Sequence, residues 1–282
     1  MTGATVTGPR VTSSRRAAGY FRSGIPYNRS GHGPRPLVVF QGMLFENRPQ
    51  SGVMTRMYRF LGDDYTVYVA LRRPGLRGGC TLRDMADDYA AMIREEFGGP
   101  LDVIGVSTGG SIAQHFAADH GDLVRRLVLH SSACTLSDAA KRLQKEVARL
   151  AEQRRWREAS ALMLDAVLPR SGAMRRFSGP IVAVGSRLMS WRAPADPTDL
   201  VVTVEGEDGH DFRGRLAEIA APTLVAAGAE DPFYTPALFA ETAAGISHAR
   251  LILYEGMGHP AAGRRFARDV LTFLRQAVAE GQ

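Results

Sequence analysis

Lysine is nearly missing from these 282 residues: Lys141 and Lys145 are the only two, although Lys and Arg together number 35. The positive charge is therefore almost all arginine, and it is scattered among 29 acidic residues for a net charge of +6. A nucleic-acid face needs a clustered basic stripe with interleaved aromatics; none is present, so nucleic acid is not an expected partner. Cysteine is equally scarce. Cys80 and Cys134 form no CxxC pair, which excludes a disulfide framework and a cysteine-built metal site. A reducing, cytoplasmic compartment is the expectation. No apolar run reaches the length of a membrane span. The opening MTGATVTGPRVTSSRRAAG lacks the apolar stretch of a secretory leader, and residues 1–18 read as a disordered lead-in. No histidine pair has metal-ligand spacing, so neither a metal nor another cofactor is expected. What remains is an ordinary globular composition, 45% hydrophobic and 23% charged, in a chain long enough for one large core and an inserted element.

From residue 37 onward, short β-branched runs alternate with helical periodicity. LVVFQ (37–41), YTVYVAL (65–71), LDVIGV (101–106) and LVRRLVLHSS (123–132) read as strands. Helical patterns fall near 51–62, at 81–97 with Thr81 as N-cap, and at 108–120. Residues 19–31 suggest an antiparallel hairpin on the sheet edge. Residues 136–210 break the alternation and read as helices. It then resumes with PTLVAAG (222–228), a helix at 236–245, ARLILYE (249–255) and a final helix at 262–280. Strands alternating with helices specify parallel βαβ units. The expected organisation is an α/β core of residues 19–135 and 211–282, interrupted by a helical cap at 136–210.

The chemistry gathers at Gly105-Val106-Ser107-Thr108-Gly109, which fits G-x-S-x-G between a strand and a helix. A tight strand-to-helix turn pushes the serine hydroxyl clear of the sheet, and only small neighbours fit around it. The helix N-terminus then presents free N–H groups to a developing oxyanion. A serine hydroxyl needs a base, and an acid behind it, in the chain order Ser, acid, His. Asp231 follows PTLVAAG, and His259 follows ARLILYE. Both therefore sit beyond the carboxyl ends of strands, where sites form in open α/β sheets. Glu230, Asp208 and Asp211 are the rivals to Asp231: Glu230 points the other way if the pleat continues, and the other two close the insertion. The backbone N–H groups of Met43 and Thr108 are the expected oxyanion donors, with Gly42 allowing close approach. Among the other histidines, His115, His120 and His130 read as packing or surface residues, and His32, His210 and His248 as exposed ones.

With FQGM after an early strand, GVSTGG at the elbow, DFRGRLAEIAAPTLVAAGAEDPF around the acid and GMGHP at the base, the chain resembles the α/β-hydrolase fold superfamily, in its capped serine esterase-like branch. These matches run in order from residue 37 to 275. The resemblance implies a mostly parallel eight-stranded sheet with helices on both faces and a helical cap after the sixth strand. Two positions depart from it. Gln41 stands where many relatives carry histidine. Pro260 follows His259 where several subfamilies carry tryptophan, which weighs against the carbon–carbon bond hydrolases.

Serine at the elbow, where dehalogenases and epoxide hydrolases of that superfamily carry aspartate, favours acyl transfer to water. The expected activity is hydrolysis of a carboxylic ester, thioester or lactone through an acyl-serine, with a small-molecule acyl substrate. An acyltransferase, perhydrolase or lyase with the same residues is the alternative, and a ligand-binding protein on the same fold is the non-enzymatic one. The insertion is expected to supply an apolar pocket, with Met189 and Trp191 as its walls. Met163, Leu164, Phe177, Ile181 and Leu188 are further candidates. Trp156, between arginines, reads as a helix-face residue.

Overall fold

The computed structural model describes residues 16–49, 53–168 and 178–276. Eight strands form one sheet: β1 (Arg16–Tyr20), β2 (Pro26–Gly31), β3 (Arg35–Phe40), β4 (Tyr65–Ala70), β5 (Leu101–Val106), β6 (Val124–His130), β7 (Thr223–Gly228) and β8 (Ala249–Tyr254). Their spatial order is β1-β2-β4-β3-β5-β6-β7-β8. β1 and β2 pair antiparallel, as do β2 and β4, and every other pairing is parallel. The edge hairpin begins at Arg16, so residues 16–18 belong to the sheet rather than to the expected lead-in. Residues 1–15 lie outside the described residues.

Helices cover both faces because neighbouring strand residues point to opposite sides. Val38 and Phe40 join one core with α2 (Leu82–Glu96), α3 (Thr108–Asp119) and α8 (Pro236–Gly245). Leu37 and Val39 join a second core with α9 (Arg264–Arg275) and with Tyr58 and Leu61, which follow the short α1 (Val53–Met57). Phe40 shows how closely the first core is packed. It stacks on Tyr89 at 4.1 Å and meets Phe116 edge-on at 5.1 Å. Burying such a ring is worth about 1.5–3 kcal/mol. α2 starts where Thr81 predicts. The Thr81 side chain accepts from the Asp84 N–H at 3.2 Å and Asp84 accepts from the Thr81 N–H at 2.8 Å, a capping box worth about 1 kcal/mol.

Between β6 and β7 the described residues form four α-helices, α4 (Asp138–Glu152), α5 (Trp156–Val167), α6 (Ser178–Ser190) and α7 (Thr198–Asp208). α4, α5 and α7 share a small apolar core of Val147, Leu150, Trp156, Ala159, Leu200 and Val204. Trp156 is buried there, its ring 5.6 Å from Phe45 of the loop after β3, so it is a packing residue and not one on an open helix face. Arginines beside a tryptophan gave the opposite impression. On a two-sided helix, however, the charged neighbours turn outward while the indole turns in. Among the described residues, no helix is long and apolar enough to cross a membrane.

Candidate active site

β5 occupies the middle of the sheet, flanked by β3 and β6, and all six of its residues are buried. Its carboxyl end runs straight into α3 through Ser107, whose backbone sits at φ 53° and ψ −128°. A non-glycine residue there is strained by about 1–3 kcal/mol. The turn closes only because its neighbours are bare. A Cβ on Gly109 would stand 2.0 Å from the Phe40 carbonyl oxygen, and Gly105 and Gly110 are similarly hemmed in. Gly42, beyond β3, packs against the elbow so tightly that a Cβ on it would lie 3.2 Å from the Ser107 Cβ.

The structure brings Ser107, His259 and Asp231 together. His259 Nε2 lies 3.0 Å from Ser107 Oγ, and His259 Nδ1 lies 2.7 Å from Asp231 Oδ2. The Asp231 side chain is fully buried and that of His259 is 6% exposed. The second Asp231 oxygen accepts the backbone N–H groups of Phe233 (2.8 Å) and Tyr234 (3.1 Å), so the carboxylate is held from two sides. Phe233 and Tyr234 also flank the imidazole. Two of the three rivals to Asp231 are engaged elsewhere, Asp208 with Lys145 and Asp211 with Arg213, while Glu230 borders the cavity beside His259. Thr108 opens α3, so its N–H has no acceptor within the helix. The Met43 N–H donates to no backbone acceptor among the described residues, and the Met43 side chain packs against the core of the helical insertion.

A cavity of about 170 Å³ opens beside His259. Its walls are Ala166, Val167 and Leu168 at the end of α5, with Glu230, Pro232 and two glycines of the loop after β8. Trp191 and Met189 are not among them. Trp191 is 77% exposed and Met189 37%, so neither takes the place at a pocket wall expected of it. A helical period marks one apolar face on α6, but that face points outward. Phe177 lies outside the described residues. A larger cleft of about 830 Å³ lies within the insertion, between α4, α5 and α6, and no atom of Ser107, Asp231 or His259 lines it. Among the described residues, no cluster of three or more His, Cys, Asp or Glu is placed to hold a metal.

Behind the elbow is a layer of buried polar groups that the sequence does not advertise. Arg72, fully buried, donates from Nη1 to the carbonyl oxygens of Gln41 (3.1 Å) and Gly42 (3.2 Å). Burial lowers its pKa from the usual arginine value, while the carboxylates of Glu207 and Asp199 work the other way. Both belong to α7. Asp199 accepts from Asn47 Nδ2 at 3.1 Å and from the Leu76 N–H at 2.8 Å. Glu207 accepts from Ser111 Oγ at 2.7 Å and from the Tyr234 hydroxyl at 3.3 Å. Burial raises the Glu207 pKa above the usual carboxylate range, and these hydrogen bonds partly offset it. His130 is likewise buried: its ring meets the Tyr58 hydroxyl at 2.9 Å and the Ala261 carbonyl oxygen at 2.7 Å. His210 is also buried rather than exposed, because the chain leaving α7 dives under Phe212 and His115.

Comparison with known proteins identifies the fold and the family. The model of the alpha/beta hydrolase family matches residues 50–269. Among solved structures, a hydrolase from Pseudomonas aeruginosa is similar with a TM-score of 0.76 and 21% identity, over 94% of this chain and 100% of that one. An alpha/beta hydrolase enzyme from a Medee basin deep-sea metagenome library gives a TM-score of 0.78 at 16% identity, over 92% and 96% of the two chains. The enol-lactonase from Burkholderia xenovorans gives 0.71 at 22% identity, over 92% and 100%. No curated protein matches the sequence significantly. The family match takes in the elbow after β5 and the loops after β7 and β8, and the sheet around them has the order and direction seen above. The chain belongs to the alpha/beta hydrolase family.

Proposed function

We propose that this protein is a serine hydrolase that cleaves a carboxylic ester, thioester or lactone through an acyl-serine intermediate. One observation carries the reading: the continuous hydrogen-bonded chain from Ser107 Oγ through the His259 imidazole to the buried Asp231 carboxylate. Ser107 attacks the acyl carbon while its proton passes to His259 Nε2. Asp231 holds the tautomer and stabilises the imidazolium. The N–H groups of Met43 and Thr108 receive the oxyanion. The bond to the leaving alcohol then breaks, and His259 returns the proton to that oxygen. Water repeats the sequence on the acyl-serine, giving the acid and free Ser107. The helical insertion at 136–210 acts as a cap in this reading. The end of α5 supports this role, since Ala166, Val167 and Leu168 border the cavity beside His259.

The test is a panel of chromogenic esters of graded acyl length, run with the wild type and Ser107→Ala. Turnover that disappears in the variant is the expected result. Turnover that survives the substitution overturns the assignment of the nucleophile. An inert wild type overturns ester hydrolysis as the activity.

A further inference from the structure

The loop that carries Met43 has no regular secondary structure to hold it, yet its N–H must be aimed to within a few tenths of an ångström to serve as an oxyanion donor. The Gly42 carbonyl and the Met43 N–H belong to the same peptide unit. A trans peptide is planar, so its C=O and N–H point in opposite directions. Fixing one fixes the other. Arg72 Nη1 lies 3.2 Å from the Gly42 oxygen and 3.1 Å from the Gln41 oxygen, and so grips two successive carbonyls with one charged nitrogen. The Met43 N–H therefore leaves that peptide on the side away from Arg72, while Gly42 itself stands against Ser107.

A charged donor on the carbonyl does more than orient it. It draws electron density toward the oxygen and makes the N–H at the other end of the unit a stronger donor. Glu207 and Asp199, near the two ends of α7, favour the charged guanidinium electrostatically against the cost of its burial. Asp199 also ties Asn47 and Leu76, on either side of the same region, and Glu207 ties Ser111 of α3. A guanidinium fully buried under a loop is costly, and a purely structural role could be filled by an apolar side chain of similar volume.

We propose that Arg72 is a positioning residue for the oxyanion site: through the Gly42 carbonyl it aims and polarises the Met43 N–H. The inference rests on the serine-hydrolase reading above, and its test separates the two. A fluorophosphonate probe reports on the nucleophile and the oxyanion site without needing the natural substrate. The Ser107 Oγ–P bond forms, the P–F bond breaks, fluoride leaves and His259 takes the proton, while the P=O oxygen occupies the oxyanion position.

The experiment measures the labelling rate, and kcat and KM on an active ester, for the wild type, Arg72→Met and Arg72→Gln, with thermal melting of each. The expected result is a fall of about tenfold to a hundredfold in labelling rate and in kcat for Arg72→Met. KM is expected to change little, and Arg72→Gln, which keeps a neutral donor, to fall in between. Labelling and kcat within about twofold of wild type in the folded variants overturn the proposal, as does a loss confined to KM. If Arg72→Met does not fold, Arg72→Gln decides by the same criterion. A wild type that labels at Ser107 but cleaves no ester sinks the substrate reading and leaves the Arg72 comparison intact. A wild type inert to both sinks the two together.

Discussion

Gly109 and Phe40 meet so closely that a Cβ on the glycine would stand 2.0 Å from the phenylalanine carbonyl oxygen. The start of α3 thus rests directly on the end of β3, backbone on backbone, and no side chain is there to yield. Gly109→Ala is expected to cost about 1–3 kcal/mol of stability and to displace the elbow. Urea unfolding, together with the rate of labelling at Ser107, checks both effects. Unchanged stability with unchanged labelling would show that the contact is softer than it looks.

In the proposed mechanism Asp231 holds the imidazole, and two backbone N–H groups hold Asp231 in turn. Asp231→Asn keeps the shape but offers an amide that favours the wrong tautomer. The expected outcome is a loss in kcat of roughly 10³–10⁴ with KM little changed. Steady-state kinetics on any ester the wild type accepts is the measurement, and a loss under about tenfold counts against the assigned acid.

Acid should weaken the fold well before the carboxylates titrate. Burial pushes the pKa of His130 and of His210 down to about 3, from 6.5. The unfolded chain titrates these rings near about 6.5, so below that pH it binds more protons than the native state does. Stability is full above about pH 6.5 and is lost as pH falls toward 3, at up to about 1.4 kcal/mol per pH unit for each ring. Both His210 nitrogens lack a hydrogen-bond partner among the described residues, so His210→Phe should hold its stability at neutral pH and flatten the slope. Urea melts between about pH 8 and about pH 5 read this directly. A variant with the wild-type slope would remove His210 from the account.

The pocket predictions divide two helices of the insertion. Leu168, at the end of α5, borders the cavity beside His259, whereas Trp191, after α6, is exposed. Leu168→Trp is expected to shift the preferred acyl group to a shorter chain. Trp191→Ser is expected to leave the chain-length profile as it is. The same ester panel tests both, and the reverse pattern would move the pocket to α6.

What could be read from sequence was local. Ser107 lies between glycines at the join of a strand and a helix, and Asp231 and His259 each follow a β-branched run; a few adjacent residues suffice to mark those places. Alternation marked β3 to β8 along the chain, whereas the pair β1 and β2 was expected only as an edge hairpin within residues 19–31 and the count of eight strands came from the resemblance. The residues that escaped notice owe their roles to packing at a distance. Arg72 stands in LRRPG and Glu207 in EGED, where nothing distinguishes a buried charge from a solvated one. Trp156 and Trp191 sit in similar settings near arginines, yet one is buried against Phe45 and the other faces solvent. Periodicity says that a helix has an apolar face, but only the way α4 to α7 fold over the core decides which faces are covered.

α7 belongs to the insertion by chain order, but two of its carboxylates, Asp199 and Glu207, are anchored in the core, at Asn47, Leu76, Ser111 and Tyr234. The insertion is therefore not an interchangeable module. A chimaera that borrowed these four helices from a relative would remove Asp199 and Glu207 along with the pocket walls, stranding Arg72 without countercharge beneath the Gln41–Gly42 carbonyls. A workable graft would have its seam drawn before α7, leaving that helix with the host sheet.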